Sequence, residues 1–309
     1  MKEKTFTFHD KEDVEIFVYK WMSDKPIKGI VQVAHGMAET ASRYRYFAEE
    51  LTKQGFLVYA NDHRGHGNTA KEHDNLGYCG EDGFNKMVEN LYDLNQIISK
   101  EQPHCPLFLF GHSMGSFLVQ KYIFTYPTDQ LAGVILSGSN GKKAPLLLNV
   151  AEMIAKRRLK KLGPKHRDEF LNSLMFSDFN KKFRPNKTPF DWLSRNDEEV
   201  QKYANNPQCG FVSSTGYFYD LLRALKGLHT YQNMSQIRKE LPIYIFSGDK
   251  DPVGNFGKGI KNLVSSYHRH GLQDVTYKLY PEGRHEMLNE TNKDEVIEDT
   301  LAWLRKYCE

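Results

Sequence analysis

Residues 111–115 read Gly-His-Ser-Met-Gly, directly after the apolar run PLFLF and directly before the apolar-rich SFLVQKYIF. A GxSxG pentapeptide between a strand and a helix makes a nucleophile elbow: small residues two before and two after the serine let the backbone turn sharply and lift one hydroxyl above the sheet. The serine is strained there, as functional turns often are. A serine hydroxyl is a weak nucleophile at neutral pH, so Ser113 needs a base, and the base needs an acid to orient it. In this architecture acid and histidine follow the serine in that order, from loops after later strands. His285, in PEGRHEM after the run VTYKLY, is the candidate base. Two carboxyls in DKDPV, after IYIFSG, compete for the acid: Asp249 and Asp251. Asp249 follows Gly248 at once and can bond the turn backbone, whereas Asp251 reaches further into the loop, so residue chemistry prefers Asp251 only modestly.

Acyl transfer also requires backbone donors for an oxyanion, one just after the serine and one from the loop after an earlier strand. The amide of Met114 supplies the first. HGMAE at 35–39 follows GIVQVA, which makes the amide of Met37 the second, with Gly36 permitting close approach. His35 and His112, beside the two donor turns, are supporting positions. GHGNTA at 65–70 fits GxGxxG/A, but four residues, Asp62 to Gly65, carry the chain away from Asn61 before the glycines are complete. The acid that should end a second strand about twenty residues on falls in a helical pattern instead. Asp62, His63 and His66 are read as a hydrogen-bond network rather than metal ligands. No GxxxxGK[ST] occurs, which excludes a P-loop, and with GHGNTA and the Asp62 group read in this way no cofactor and no metal are expected.

The elements that must position these groups follow a βαβ grammar. A hairpin is predicted near 4–8 and 14–20, joined at HDKED. Short apolar runs then alternate with helical patterns: GIVQVA, a helix over 42–55, FLVYA, a helix over 84–99, PLFLF, a helix after Gly115 and LAGVILSG at 131–138. Residues 139–238 show helices and turns and no convincing buried strand. The alternation resumes with PIYIFSG, a helix over 255–270, VTYKLY and a terminal helix over 292–307. The fold class expected is α/β, a mostly parallel central sheet flanked by helices, with 1–138 and 239–309 as the core and 139–238 as a helical insertion.

The chain of 309 residues, 39% hydrophobic and 26% charged, has the composition of a folded domain rather than a disordered one. Lys and Arg number 42 against 39 Asp and Glu, which gives no global signal for a nucleic-acid partner. The charge is uneven, however. Residues 141–167 hold nine basic side chains and one acid, Glu152, leaving the rest of the chain net acidic. Leu148, Ala151, Ala155, Leu159 and Leu162 form one apolar helix stripe within that segment. Three readings stand: a helix packed on the core with a solvated basic face, a basic amphipathic helix touching anionic lipid, or a surface for an acidic substrate or partner. Four scattered cysteines show no disulfide or zinc spacing. The start of the chain lacks the apolar run of roughly 7 to 15 residues of a signal peptide, and no stretch reaches the roughly 18 apolar residues of a membrane span, so a cytoplasmic location is expected.

GHSMG together with HGMAETASRY at 35–44, DHRGHGNT at 62–69, GDKDPV at 248–253 and GRHEMLNE at 283–290 resembles the monoacylglycerol lipase and lysophospholipase group of α/β-hydrolases, also described as serine aminopeptidase S33. The resemblance spans nearly the whole core. It implies an α/β-hydrolase fold and hydrolysis of a lipid-like carboxylic ester with an apolar acyl chain. Its pattern places the acid three residues after the glycine, which selects Asp251, and it agrees with Ser113, His285, Met37 and Met114. It implies that 139–238 is a cap over the acyl pocket, although similarity there is weak beyond SRNDEEVQKYANNP. Thr40 and Thr69 depart from the pattern, which has histidine and serine there. A small-ester carboxylesterase, a peptidase with the same machinery, and a binding protein that keeps the fold without the chemistry are the alternatives.

Overall fold

The computed structural model describes residues 1–308. Eight strands form one sheet: β1 (Lys2–His9), β2 (Glu15–Met22), β3 (Gly29–Ala34), β4 (Phe56–Asn61), β5 (Leu107–His112), β6 (Leu131–Ser137), β7 (Ile243–Gly248) and β8 (Val275–Tyr280). Their spatial order is β1-β2-β4-β3-β5-β6-β7-β8. The hairpin β1–β2 and the β2–β4 pair are antiparallel, and every pair from β4 through β8 is parallel.

The parallel strands are buried on both faces, so their sequences are continuously apolar rather than alternating with polar residues. The period of two still sorts them. Ile30, Leu107, Leu109, Ile243 and Ile245 face one core layer, while Val31, Val33, Phe108, Phe110, Tyr244 and Phe246 face the other. Each fully buried side chain of this size contributes about 2 to 3 kcal/mol of burial free energy.

Helices cover both faces: α1 (Arg45–Lys53), α2 (Gly83–Glu101), α3 (Met114–Thr125), then α4 (Pro145–Leu162), α5 (Glu169–Phe176), α6 (Asp197–Asn205), α7 (Thr215–Leu228) and α8 (Tyr231–Ser235), then α9 (Lys258–Arg269) and α10 (Lys293–Arg305). Between β6 and β7 the chain runs through α4 to α8, and the only strand-like pairing there, among the described residues, is the bridge between Arg167 and Ser214. Both ends of the helix predicted over 42–55 differ from the expectation. A 3-10 turn at Ala41–Tyr44, capped by the Thr40 hydroxyl, precedes α1. No helix is long and apolar enough to cross a membrane among the described residues. Because β3 and β5 through β8 run parallel, their carboxyl ends lie along one edge, where open sheets of this kind build ligand sites.

Candidate active site

Ser113 stands between β5 and α3 with φ 52° and ψ −118°, a conformation that costs free energy for any residue with a Cβ. The flanking glycines make it possible. A Cβ on Gly111 would lie 2.5 Å from the Gly115 carbonyl oxygen, and one on Gly115 would lie 2.0 Å from that of Ala34. The turn therefore packs backbone against backbone, and Ser113 is left partly exposed to a cavity that His285 also lines. Its hydroxyl has no hydrogen-bond partner among the described residues.

His285 is buried, and its Nδ1 donates to Oδ1 of the fully buried Asp251 at 3.0 Å. Asp251 also accepts from the Val253 amide at 2.8 Å and, through Oδ2, from the Ser247 hydroxyl at 2.8 Å. Burial opposes its charge, but the His285 ring and these donors hold its carboxyl below the ordinary range. For His285 the balance runs the other way. Burial disfavours the imidazolium, yet the Asp251 charge and hydrogen bond, with Glu286 and Glu39 nearby, raise its pKa above the ordinary value. Asp249, two residues away, turns outward: its Oδ1 accepts from the Glu282 amide at 2.8 Å. The two loops cross closely, since a Cβ on Gly248 would lie 1.9 Å from the Gly283 carbonyl oxygen.

The loop after β3 reaches the same spot. A Cβ on Gly36 would lie 2.7 Å from Oε1 of Glu39 and 3.2 Å from Cβ of Ser113, so glycine lets this loop pack closely against the elbow. Neither the Met37 nor the Met114 amide makes a hydrogen bond among the described residues, which leaves both N–H groups free near Ser113. His35 is fully buried and neutral: its Nε2 accepts from the His63 amide at 3.0 Å, so Nδ1 donates to the Gly36 carbonyl at 2.7 Å. Burial lowers its pKa to about 3. His112, with Nδ1 3.2 Å from the Ser137 hydroxyl, packs its ring 4.7 Å from that of His285, and burial lowers its pKa to about 4.

Asp62 and its neighbours brace this loop. Asp62 accepts from the Thr40 hydroxyl at 2.9 Å, from the Ala41 amide at 2.8 Å and from the Asn68 amide at 2.8 Å. Thr40, one of the two departures from the resembled pattern, thus serves as donor to Asp62 and cap of the 3-10 turn.

The cavity has a volume of about 340 Å³. Ser113 and His285 line it, and the segment between β6 and β7 contributes the apolar Phe176, Phe190, Trp192, Leu193 and Phe211 beside the polar Glu169, Asn172, Ser173 and Ser177. That segment is tied to the histidine loop. The His285 amide donates to the Trp192 carbonyl at 3.4 Å, the Glu286 amide to that of Leu193 at 2.7 Å, and the Trp192 and His285 ring centroids are 5.0 Å apart. Residue reasoning named none of these lining residues, because their roles depend on a fold-back of about ninety positions rather than on a local pattern.

It also missed an apolar stripe on α4. Leu148 and Ala155 are buried, and Ala151, Leu159 and Leu162 are partly so, but Leu146 is 76% exposed and Leu147 63% exposed, with Val150 and Met153 also open. Phe170 and Leu174, four apart on α5, are exposed as well. α4 is apolar on two faces, one packed on the core and one open to solvent.

A family model described as serine aminopeptidase, S33 matches residues 25–292. The chain is 32% identical over 300 residues to a monoacylglycerol lipase of Mycolicibacterium smegmatis, covering 94% of this chain and 93% of that one. It is 28% identical over 292 residues to a monoglyceride lipase of Rattus norvegicus, covering 94% and 86%. Its structure superimposes on a thermostable carboxyl esterase from Bacillus coagulans, solved in complex with glycerol, with a TM-score of 0.92 and 28% identity over the whole of both chains.

Proposed function

Since the chain belongs to the serine aminopeptidase S33 family of α/β-hydrolases and is a serine ester hydrolase of lipase type, we propose that it cleaves monoacylglycerols, with Ser113, His285 and Asp251 as its triad. The observation that carries this reading is the cavity that Ser113 and the Asp251-bound His285 line together with Phe176, Phe190, Trp192, Leu193 and Phe211. The Ser113 hydroxyl attacks the ester carbonyl, and His285 takes its proton through Nε2 and returns it to the departing glycerol oxygen. Asp251 keeps the Nδ1 proton in place and stabilises the imidazolium. The amides of Met37 and Met114 stabilise the oxyanion, each donor worth on the order of 3 kcal/mol. Water then releases the fatty acid.

Residues 139–238 serve as the cap over the acyl chain. A series of p-nitrophenyl esters from acetate to long acyl tests this. Each methylene that enters the apolar pocket gains about 0.8 kcal/mol, so kcat/KM should climb roughly fourfold per CH₂ until the pocket is full. Preference for acetate would reassign the enzyme to small esters. Running 1-monoacylglycerol beside a lysophospholipid of the same acyl chain separates the two lipid head groups. A reducing compartment, and hence the cytoplasm, suits four unpaired cysteines.

The exposed stripe of α4 supports peripheral contact with a membrane. Leu146, Val150 and Met153 share one helix face, Phe170 and Leu174 are exposed on α5, and Lys156, Arg157, Lys160 and Lys161 are exposed on α4. Apolar insertion and attraction to anionic head groups add in such a helix. Sedimentation with vesicles should carry the native chain down with anionic lipid and leave a Leu146→Glu, Leu147→Glu variant in the supernatant. Equal recovery of the native chain with and without anionic lipid would retire the membrane reading.

A further inference from the structure

Two loops must hold their spacing for the proposed reaction, the one offering the Met37 amide and the one carrying His285. A buried charged cluster lies between them. Glu39 accepts from the Gly36 amide at 2.5 Å and from the Tyr44 hydroxyl at 3.0 Å, and its other oxygen accepts from Arg43 Nη1 at 2.6 Å. The same guanidinium grips Glu286 with both nitrogens, at 2.7 and 2.6 Å. Glu286 is the residue after His285. Arg43 also lies 4.8 Å from the ring centre of Tyr203, whose hydroxyl donates to the Ala38 carbonyl at 2.9 Å. The three charged side chains are only 11%, 3% and 6% exposed for Arg43, Glu39 and Glu286.

Burying three charges is costly, and an apolar cluster of the same shape is often as stable or more so. Plain stability therefore gives little reason to keep them. Geometry gives a better one, because a planar guanidinium with two bidentate-capable partners fixes both loops in distance and angle, which an ammonium cannot do.

We infer that Arg43 is a positioning residue for acyl transfer, a clamp that holds the Met37 loop and the His285 loop in register and leaves a net carboxylate charge beside the imidazole. This rests on the triad and oxyanion assignment proposed above. Two carboxylates share one guanidinium, so one formal negative charge remains in the cluster. The titratable groups facing His285 are Asp251 after β7, Glu39 after β3, Glu286 on its own loop and the neutral His112 at the end of β5. Burial would raise the Glu286 carboxyl, but the Arg43 charge and hydrogen bonds hold it at about 2, so it is ionised whenever the enzyme works. A negative charge beside His285 favours the imidazolium. Removing that charge lowers the imidazole pKa, keeps the base neutral to lower pH and moves the acid limb of the rate profile downward.

The test is the rate of covalent labelling of the full chain by a fluorophosphonate as a function of pH, for the native sequence, Arg43→Lys and Glu286→Gln. Arg43→Lys keeps the charge and loses the fork, and should label about tenfold to a hundredfold more slowly. Glu286→Gln keeps an acceptor for Arg43 and should shift the acid limb to lower pH by about half a unit. Labelling within about twofold of native in Arg43→Lys overturns the clamp. So does an unmoved limb in Glu286→Gln, because plain destabilisation lowers the amplitude and leaves the limb where it was. If Arg43→Lys fails to fold, the limb of Glu286→Gln decides alone. Absence of labelling in the native chain instead removes the triad assignment, and the clamp with it, while Glu286→Gln effects on a labelled native chain speak only to the clamp.

Discussion

Ser113→Ala is expected to lower kcat by about a millionfold and to abolish fluorophosphonate labelling while leaving the fold intact. The size of the loss follows from the division of labour. Without a nucleophile, the imidazole and its carboxylate have nothing to activate, and only binding and the two oxyanion amides remain, which is worth about a thousandfold to ten-thousandfold over water. The fold should be indifferent for a local reason. The Ser113 hydroxyl has no hydrogen-bond partner among the described residues, so its removal strands no buried polar group, and alanine carries the same Cβ into the same φ of 52°. Melting temperature and far-UV circular dichroism measured beside turnover separate loss of chemistry from loss of structure. If Ser113→Ala retains labelling within about tenfold of native, the nucleophile lies elsewhere and the mechanism above fails.

The elbow was legible because its causes are local. Gly111 and Gly115 stand where a Cβ would strike backbone, and a buried strand and an apolar helix flank them in sequence as they do in space. The parallel sheet was legible for a related reason: strands covered on both faces read as short continuous apolar runs. Other parts had no local cause to read. Asp249 and Asp251 lie in one turn and differ only in what tertiary structure brings to them, the Glu282 amide to one and an imidazole 34 positions away to the other. Arg43 and Glu286 are 243 positions apart. Their pairing leaves only a faint trace, Glu39 and Arg43 at a spacing of four and a glutamate directly after the histidine. The exposed face of α4 was hidden by its own composition. A helix apolar on two sides offers two stripes of the same period, and only the tertiary packing decides that Leu148 and Ala155 are buried while Leu146 and Val150 stay open.

Asp251→Asn should lower kcat by about a thousandfold to ten-thousandfold, whereas Asp249→Asn should stay within about twofold of native. The surroundings of the carboxyl say how the damage arises. Oδ1 of Asp251 accepts from two donors, the His285 ring at 3.0 Å and the Val253 backbone amide at 2.8 Å. An asparagine at this position must place its one carbonyl oxygen against that fixed backbone donor, and its NH₂ group then faces the Ser247 hydroxyl, which can rotate to accept. The Nδ1–H tautomer of His285 is kept, and what is lost is the negative charge that stabilises the imidazolium in the transition state. A signature follows. Since the Asp251 charge helps raise the His285 pKa, its loss shifts the acid limb of kcat/KM to lower pH even as the plateau collapses. A wrong tautomer, with its proton on Nε2 where it cannot accept from Ser113, would collapse the plateau by the same order, and the lost charge would move the limb there too, so the limb reports the Asp251 charge and not the tautomer. Asp249→Asn retains an oxygen for the Glu282 amide, so neither plateau nor limb should change. Measuring kcat/KM against pH for the two variants separates the two carboxyls. A damaged Asp249→Asn beside a near-native Asp251→Asn would hand the acid's role to the other carboxyl of the turn.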